Sequence, residues 1–292
     1  MHTKKRIEMK KNVALVLSSG GARGLAHIGA IEELERRGFN ITSVAGCSMG
    51  SLIGGMYAAG KLDEVKKWML GLSKKQMFSL VDFSFSRNHL VKGIKVMDAL
   101  KEIVPDVNIE DLPIPYTAVA TDWNSGREIV FHSGSLYEAI RSSISIPLFF
   151  DPVRKDEMLL VDGALVNALP LNRVARNRGD MLVGVNVNTH NYKEETTPNY
   201  INMLLRSIAI MVDQNTKQQA LISKPDIVVE AQMQQYGEFD YDKATQITLI
   251  GEQEMHKALD EYQQAHSSFF DRLKNIWKKR ESLTTVPLWC FV

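Results

Sequence analysis

Apolar runs of strand length alternate with segments of helical period through most of the chain. Residues 12–17 (Asn-Val-Ala-Leu-Val-Leu) are apolar without interruption after the asparagine, the pattern of a central parallel strand buried on both faces. The loop Ser18-Ser19-Gly20-Gly21-Ala22-Arg23-Gly24 follows. Ile28, Ile31 and Leu34 then fall at helical spacing over residues 25–37, and Gly38 stops that helix. Residues 41–45 form the next strand and run into Gly46-Cys47-Ser48-Met49-Gly50, which opens onto a helix of small residues. Strand, glycine loop, helix and strand make a βαβ unit, which predicts a parallel sheet with right-handed crossovers and helices on both faces.

Further along, the pattern predicts helices over 62–70 and 89–101, the second ended near Pro105. Between them, residues 73–93 are apolar without a clean period and suit a mobile lid, an acyl-pocket wall or a cap on the core edge. Strands at 115–121 and 128–131 flank the turn Asn124-Ser125-Gly126 as a hairpin. Ser135 opens a helix toward Arg141, followed by the small-residue bend 142–147 and the aromatic pair Phe149 and Phe150. A compact strand at 158–161 ends in Asp162-Gly163-Ala164, and strands at 181–187 and 225–229 bracket a helix over 199–221. Residues 246–250 read as a strand or as the lead-in to a final helix at 252–279. In that helix Phe269, Phe270, Leu273, Ile276 and Trp277 gather on one side among Arg272, Lys274, Lys278 and Lys279, before an apolar tail at 286–292. Such a stripe suits packing against the body or a partner chain, or peripheral contact with an anionic lipid surface. The expected organisation is a frayed polar terminus (1–10), a body (11–250), and a C-terminal helix with tail (251–292).

Composition narrows the functional classes. At 292 residues and 45% apolar, the chain buries one large core, with or without a subdomain. The 35 basic and 34 acidic residues leave a net charge of +1, which offers no basic excess for a nucleic-acid partner. Cys47 and Cys290 make no disulfide framework, which suggests a reducing compartment, the cytoplasm. No apolar segment of signal-peptide type follows the basic start, and the apolar stretch 201–212, broken by Asn202 and Arg206, is too short to span a bilayer. The expectation is a soluble protein. Its oligomeric state is not legible.

Two loops emerge at the carboxyl ends of neighbouring parallel strands, where open α/β sheets place ligands. In Gly46-Cys47-Ser48-Met49-Gly50 the glycines permit a sharp strand-to-helix reversal that exposes the Ser48 hydroxyl at its apex, the layout of a nucleophile elbow. The Gly20-Gly21-Ala22-Arg23-Gly24 loop offers consecutive backbone N–H groups before a helix N-terminus, fit for an oxyanion, for a phosphate, or for a plain tight turn. It lacks both Gly-x-Gly-x-x-Gly and a P-loop lysine. Asp162 ends a buried strand and suits either the same cleft as Ser48 or backbone bonds in its own turn. A histidine base is harder to find. His190 follows the 181–187 strand in a polar stretch, His256 and His266 sit on a polar helix as surface residues, and His27 reads as packed.

In type, order and spacing, the glycine loop, the Ser48 elbow, the bend Arg141-Ser142-Ser143-Ile144-Ser145-Ile146-Pro147 and Asp162-Gly163-Ala164 together resemble the patatin-like phospholipase family in its bacterial members. The resemblance covers about residues 11–190 and departs at Ala164, where Asp-Gly-Gly is usual. It implies a three-layer α/β/α sandwich with a mainly parallel sheet and a Ser-Asp dyad without histidine or metal. By that resemblance Ser48 is the nucleophile, Asp162 the base, and Gly21, Ala22 and Arg23 the oxyanion hole, with Gly20, Gly24, Gly46, Gly50 and Gly163 in support. The implied activity is hydrolysis of lipid acyl esters, in phospholipids or lysophospholipids, with no cofactor. An acyltransferase or thioesterase using the same serine, or a silent lipid- or anion-binding module, are the alternatives.

Overall fold

The computed structural model describes residues 11–71, 75–76, 94–147, 149–189 and 199–284, with side chains to residue 266 apart from Ile94 and Ile201. Its strands are β1 (Asn12–Leu17), β2 (Asn40–Cys47), β3 (Tyr116–Asp122), β4 (Glu128–Phe131), β5 (Val153–Lys155), β6 (Met158–Asp162), β7 (Met181–Asn186) and β8 (Ile227–Glu230). They form one sheet in the order β5-β6-β3-β2-β1-β7-β8, with β4 also paired to β3. From β3 to β8 every pairing is parallel; β4, β5 and β6 add the antiparallel pairs at one side. The sheet is mainly parallel, and β3 and β4 form the expected hairpin.

The helices are α1 (Ala26–Arg36), α2 (Met49–Ala58), α3 (Leu62–Gly71), α4 (Ile94–Ile103), α5 (Leu136–Ser143), α6 (Ala164–Asn167), α7 (Tyr200–Ser223) and α8 (Ala244–Thr284). Ser135 caps α5 by accepting the Glu138 N–H. Because successive strand residues point to opposite faces, β1 divides its side chains between two cores. Val13, Leu15 and Leu17 pack with α1, α2 and α8 through Ile31, Ile53 and Met255, while Ala14 and Val16 pack with Leu182, Leu171 and Ala220 of α7. The result is three layers, α/β/α, with the larger apolar side chains of β1 on the α1 face.

The strand considered for residues 246–250 is the first part of α8 instead. Ala244, Ile247, Gly251, Met255 and Leu259 are buried at three- to four-residue intervals, with Thr248 beside them, a helical stripe that crosses α1. The β-branched Ile247 and Thr248 are what made the segment resemble a strand. Closeness is enforced by glycine: a Cβ on Gly29 would run into the Thr248 carbonyl, and one on Gly251 into that of Ala26. Beside this crossing the buried Glu33 carboxylate accepts from Arg36 (2.6 Å) and Arg37 (3.0 Å) and bonds His256 Nδ1 (2.8 Å). Burial pushes the Glu33 carboxyl up, but these bonds, led by Arg37, outweigh it and hold it below the usual carboxylate range. His256 is an exposed residue, as the sequence suggests, and joins this α1–α8 clamp through Glu33.

Candidate active site

At the β2–α2 junction Ser48 adopts φ 53° and ψ −124°, a left-handed conformation that costs a residue bearing a Cβ about 1–3 kcal/mol. Surrounding bonds hold it there. Its N–H donates to Ser143 Oγ (2.8 Å), Ser143 Oγ–H donates on to the Val119 carbonyl (2.7 Å), and the Ser48 carbonyl accepts from Ser51 N–H (2.9 Å). Crowding also dictates the glycines: a Cβ on Gly46 would strike the Gly50 carbonyl, and one on Gly50 the Leu17 carbonyl. The elbow expected from Gly46-Cys47-Ser48-Met49-Gly50 is the observed backbone.

Strand β3 brings the second group in. Along one edge β3 pairs with β2 through Val119, opposite Cys47; from Ala120 onward it pairs with β6, beginning opposite Asp162. Since β4 runs along Ala118–Thr121 and overlaps both, it takes the other edge, and β2 and β6 share one edge in succession. Ser48 leaves that edge where Asp162 joins it. Ser48 Oγ–H donates to Asp162 Oδ2 at 2.5 Å; Asp162 Oδ1 accepts the Ala164 N–H at 2.8 Å and lies 3.8 Å from the Cys47 thiol. Gly163 fits because a Cβ there would hit the Val119 carbonyl.

Both groups are buried, at 3% and 4% exposure. Burial pushes the Asp162 carboxyl up to about 6; bonds from Ser48, Ala164 and Cys47 offset this in part, and the Glu238 carboxylate adds to the rise. Burial and the same Asp162 push the Cys47 thiol well up, so it stays protonated. Asp162 thus carries a basicity near that of a free imidazole, without a histidine.

The glycine loop is a single 3-10 turn, Gly21–Leu25, leading directly into α1. Ala22 N–H donates to the Glu238 carbonyl (2.8 Å) and Arg23 N–H to that of Gly20 (3.1 Å). The Arg23 side chain is buried and turned toward Gly20 O (3.3 Å), Asn188 Oδ1 (3.3 Å) and Glu238 Oε1 (3.2 Å). Burial lowers its pKa and Glu238 opposes the shift. Gly20 and Gly24 make room for Val187 and Met49, which a Cβ at either would overlap. His27 is fully buried with Nε2 on the Ser18 carbonyl (2.8 Å), and burial pushes its pKa down to about 4, so it is a neutral core residue. His190 lies outside the described residues.

Gly21 and Ser48 open onto a cleft of about 610 Å³ including its mouth. Its walls are Met49 and Leu52 of α2, Ile144, Ile146 and Phe150 of the bend, Trp68 and Met69 of α3, and Val96 of α4, with Tyr241 at the side. The bend and Phe150 border it as the sequence suggested. Most of the 73–93 segment considered for a lid, the 286–292 tail and the side chains of the 269–279 stripe lie outside what is described. Ser143 is marked in the sequence only as part of the bend, and nothing local marks Cys47 as a neighbour of Asp162. Glu238 and Tyr241 carried no local signal, since they reach the site from beyond β8. Among the described residues no group of three His, Cys, Asp or Glu could hold a metal, and no helix is long and apolar enough to cross a membrane.

Residues 15–175 match the Patatin family, described as patatin-like phospholipase. An uncharacterized NTE family protein of Mycobacterium tuberculosis (strain ATCC 25618 / H37Rv) is 41% identical over 207 residues, 69% of this chain and 58% of the relative. The neuropathy target esterase sws of Drosophila melanogaster is 32% identical over 175 residues, 58% of this chain but 12% of the relative. The chain therefore spans little more than half the length of its mycobacterial relative and a small part of the insect one. The crystal structure of VipD from Legionella pneumophila aligns with 16% identity and a TM-score of 0.47, over 87% of this chain and 67% of that one. By the family match and the mycobacterial likeness, the chain belongs to the patatin-like phospholipase family, a family of lipid hydrolases, and groups there with bacterial members.

Proposed function

We propose that this chain hydrolyses acyl-ester bonds of phospholipids or lysophospholipids by a Ser48-Asp162 dyad through an acyl-serine intermediate. The observation that carries the reading is the 2.5 Å bond from Ser48 Oγ to a buried carboxylate whose pKa is pushed up to about 6, beside an apolar cleft. Ser48 Oγ attacks the ester carbonyl as Asp162 Oδ2 takes its proton. Backbone N–H groups of Gly21, Ala22 and Arg23 receive the oxyanion, and the proton passes from Asp162 to the leaving alcohol. Asp162, ionised again, then takes a proton from water as the water attacks the acyl-serine, and hands that proton to Ser48 Oγ as the bond to the acyl group breaks and the fatty acid leaves. An ordinary aspartate is a poor base for a serine hydroxyl, and desolvation brings this one to the strength the step needs. The apolar walls suit an acyl chain, with lipid met at the surface of a bilayer or micelle.

Intact-mass spectrometry after exposure to a fluorophosphonate tests the reading. One adduct on Ser48, absent in Ser48→Ala and nearly absent in Asp162→Asn, is expected, together with turnover of acyl esters by the unmodified protein. Folded protein that takes no label, with or without micelles, would refute the hydrolase and leave a binding module.

A further inference from the structure

The glycine loop is occupied by the chain's own backbone. Ala22 N–H, one of the donors assigned to the oxyanion, gives its hydrogen bond to the Glu238 carbonyl at 2.8 Å. A Cβ on Gly21 would come within 2.5 Å of the same carbonyl, so the segment rests directly on the loop. It belongs to the stretch between β8 and α8, residues 231–243.

Two polar ties, both at Glu238, join the segment to the loop: the carbonyl bond to Ala22 and the ion pair to Arg23 at 3.2 Å, whose carboxylate side is half exposed. The Phe239 ring lies against Phe149, with centroids 4.7 Å apart, and Tyr241 reaches the cleft wall. Its turn is self-contained: Gly237 N–H donates to Asp240 Oδ2 at 2.8 Å, and Tyr236 N–H to the Met233 carbonyl at 3.0 Å. The turn is tied to the glycine loop by the backbone bond and the half-exposed ion pair at Glu238, and to the body by the Phe239–Phe149 contact and by the packing of Tyr236 and Tyr241 against the core; none of these is a sheet hydrogen bond, so it can lift as a unit without unfolding the sheet.

We propose that Tyr236–Tyr241 is an autoinhibitory strap: the Glu238 carbonyl occupies the oxyanion-binding Ala22 N–H in the resting protein, and productive acylation of Ser48 requires the strap to lift. A carbonyl oxygen on this N–H holds the place that the ester oxygen must take, so both cannot bind Ala22 at once. The reading rests on the proposed hydrolase, and acyl ester arriving from a lipid surface is the competitor that displaces the strap.

The test compares second-order rates of fluorophosphonate labelling at Ser48 in the unmodified protein, Glu238→Gln and Phe239→Ala. These two substitutions loosen the strap through different contacts and keep every residue of the dyad and the glycine loop; because the Glu238 carboxylate also raises the Asp162 pKa, the rates are compared near pH 8, where Asp162 is ionised in all three proteins. Labelling faster by about threefold to tenfold in both variants is expected, from the loss of one ring contact or one exposed ion pair. Hydrogen exchange of the peptide carrying Ala22 should quicken in parallel, a readout that a variant merely altering the cleft would not move. Equal or slower labelling in both variants with unchanged exchange would overturn the strap while leaving the hydrolase standing. No Ser48 adduct in any of the three proteins would instead overturn the hydrolase on which it rests.

Discussion

The base strength of Asp162 sets how Ser48 reactivity must vary with pH. A carboxyl of pKa about 6 is roughly one-tenth ionised near pH 5 and nine-tenths ionised near pH 7, so labelling should rise about tenfold across that interval and then level off. An aspartate at its ordinary 3.8 would be over nine-tenths ionised at both pH values and give a nearly flat profile. Buried His27, with pKa about 4, is also flat there. The assay is fluorophosphonate labelling of Ser48 between about pH 4.5 and 8, followed by intact mass, with Asp162→Asn alongside. A flat profile would refute the desolvated-base argument. So would a rise near pH 6.5 that survives in Asp162→Asn, which would point to a histidine. The same burial acts on stability with a definite sign. A raised carboxyl pKa means that the folded protein keeps a proton the unfolded chain releases between about pH 4 and 6, so stability falls as pH climbs through that window. Above it the ionised Asp162 costs about 3 kcal/mol relative to a solvated carboxylate. Asp162→Asn, with its amide oxygen on Ala164 N–H and its NH2 on Ser48 Oγ, should be inactive yet more stable than the unmodified protein near pH 7, with the difference vanishing near pH 4. Loss of stability at neutral pH in that variant would refute the argument.

Other outcomes follow from particular contacts. His190→Ala should keep most ester turnover, and an inactive but folded variant would replace the dyad with a triad. Ser143→Ala strands the Ser48 N–H and the Val119 carbonyl, and should lower stability by about 2 kcal/mol in denaturant titration while slowing Ser48 labelling; an unchanged labelling rate would mean that the elbow does not need this anchor. Glu33→Gln leaves Arg36 and Arg37 short of a carboxylate at the α1–α8 crossing, and should cost about 2–3 kcal/mol in the same titration with Ser48 labelling preserved in the folded protein.

Much of the fold was legible in the sequence because local pattern and final burial agree there. The unbroken apolar run of β1 becomes a strand buried on both faces, and the glycines around Ser48 answer to carbonyls that leave no space for a Cβ. The order of glycine loop, elbow, bend and Asp-Gly marked the residues that the structure draws together. Residues 246–250 were ambiguous because β-branched side chains suit a strand, and only contact with α1 decides for a helix.

The site's chemistry needed the third dimension. Nothing local says that Asp162 lies 2.5 Å from Ser48, a residue 114 positions earlier; that follows from β2 and β6 meeting one edge of β3 in succession. Its pKa of about 6 is likewise a property of burial, which no sequence period encodes. The Glu238 carbonyl on Ala22 N–H is a backbone contact between segments over two hundred residues apart, and side-chain identity at position 238 gave no sign of it. Sequence by itself determined which residues could react, through residue type and the room glycine leaves. Tertiary structure decided which of them meet, how strongly Asp162 binds its proton and what rests on the glycine loop, because distance and desolvation arise only when remote segments pack.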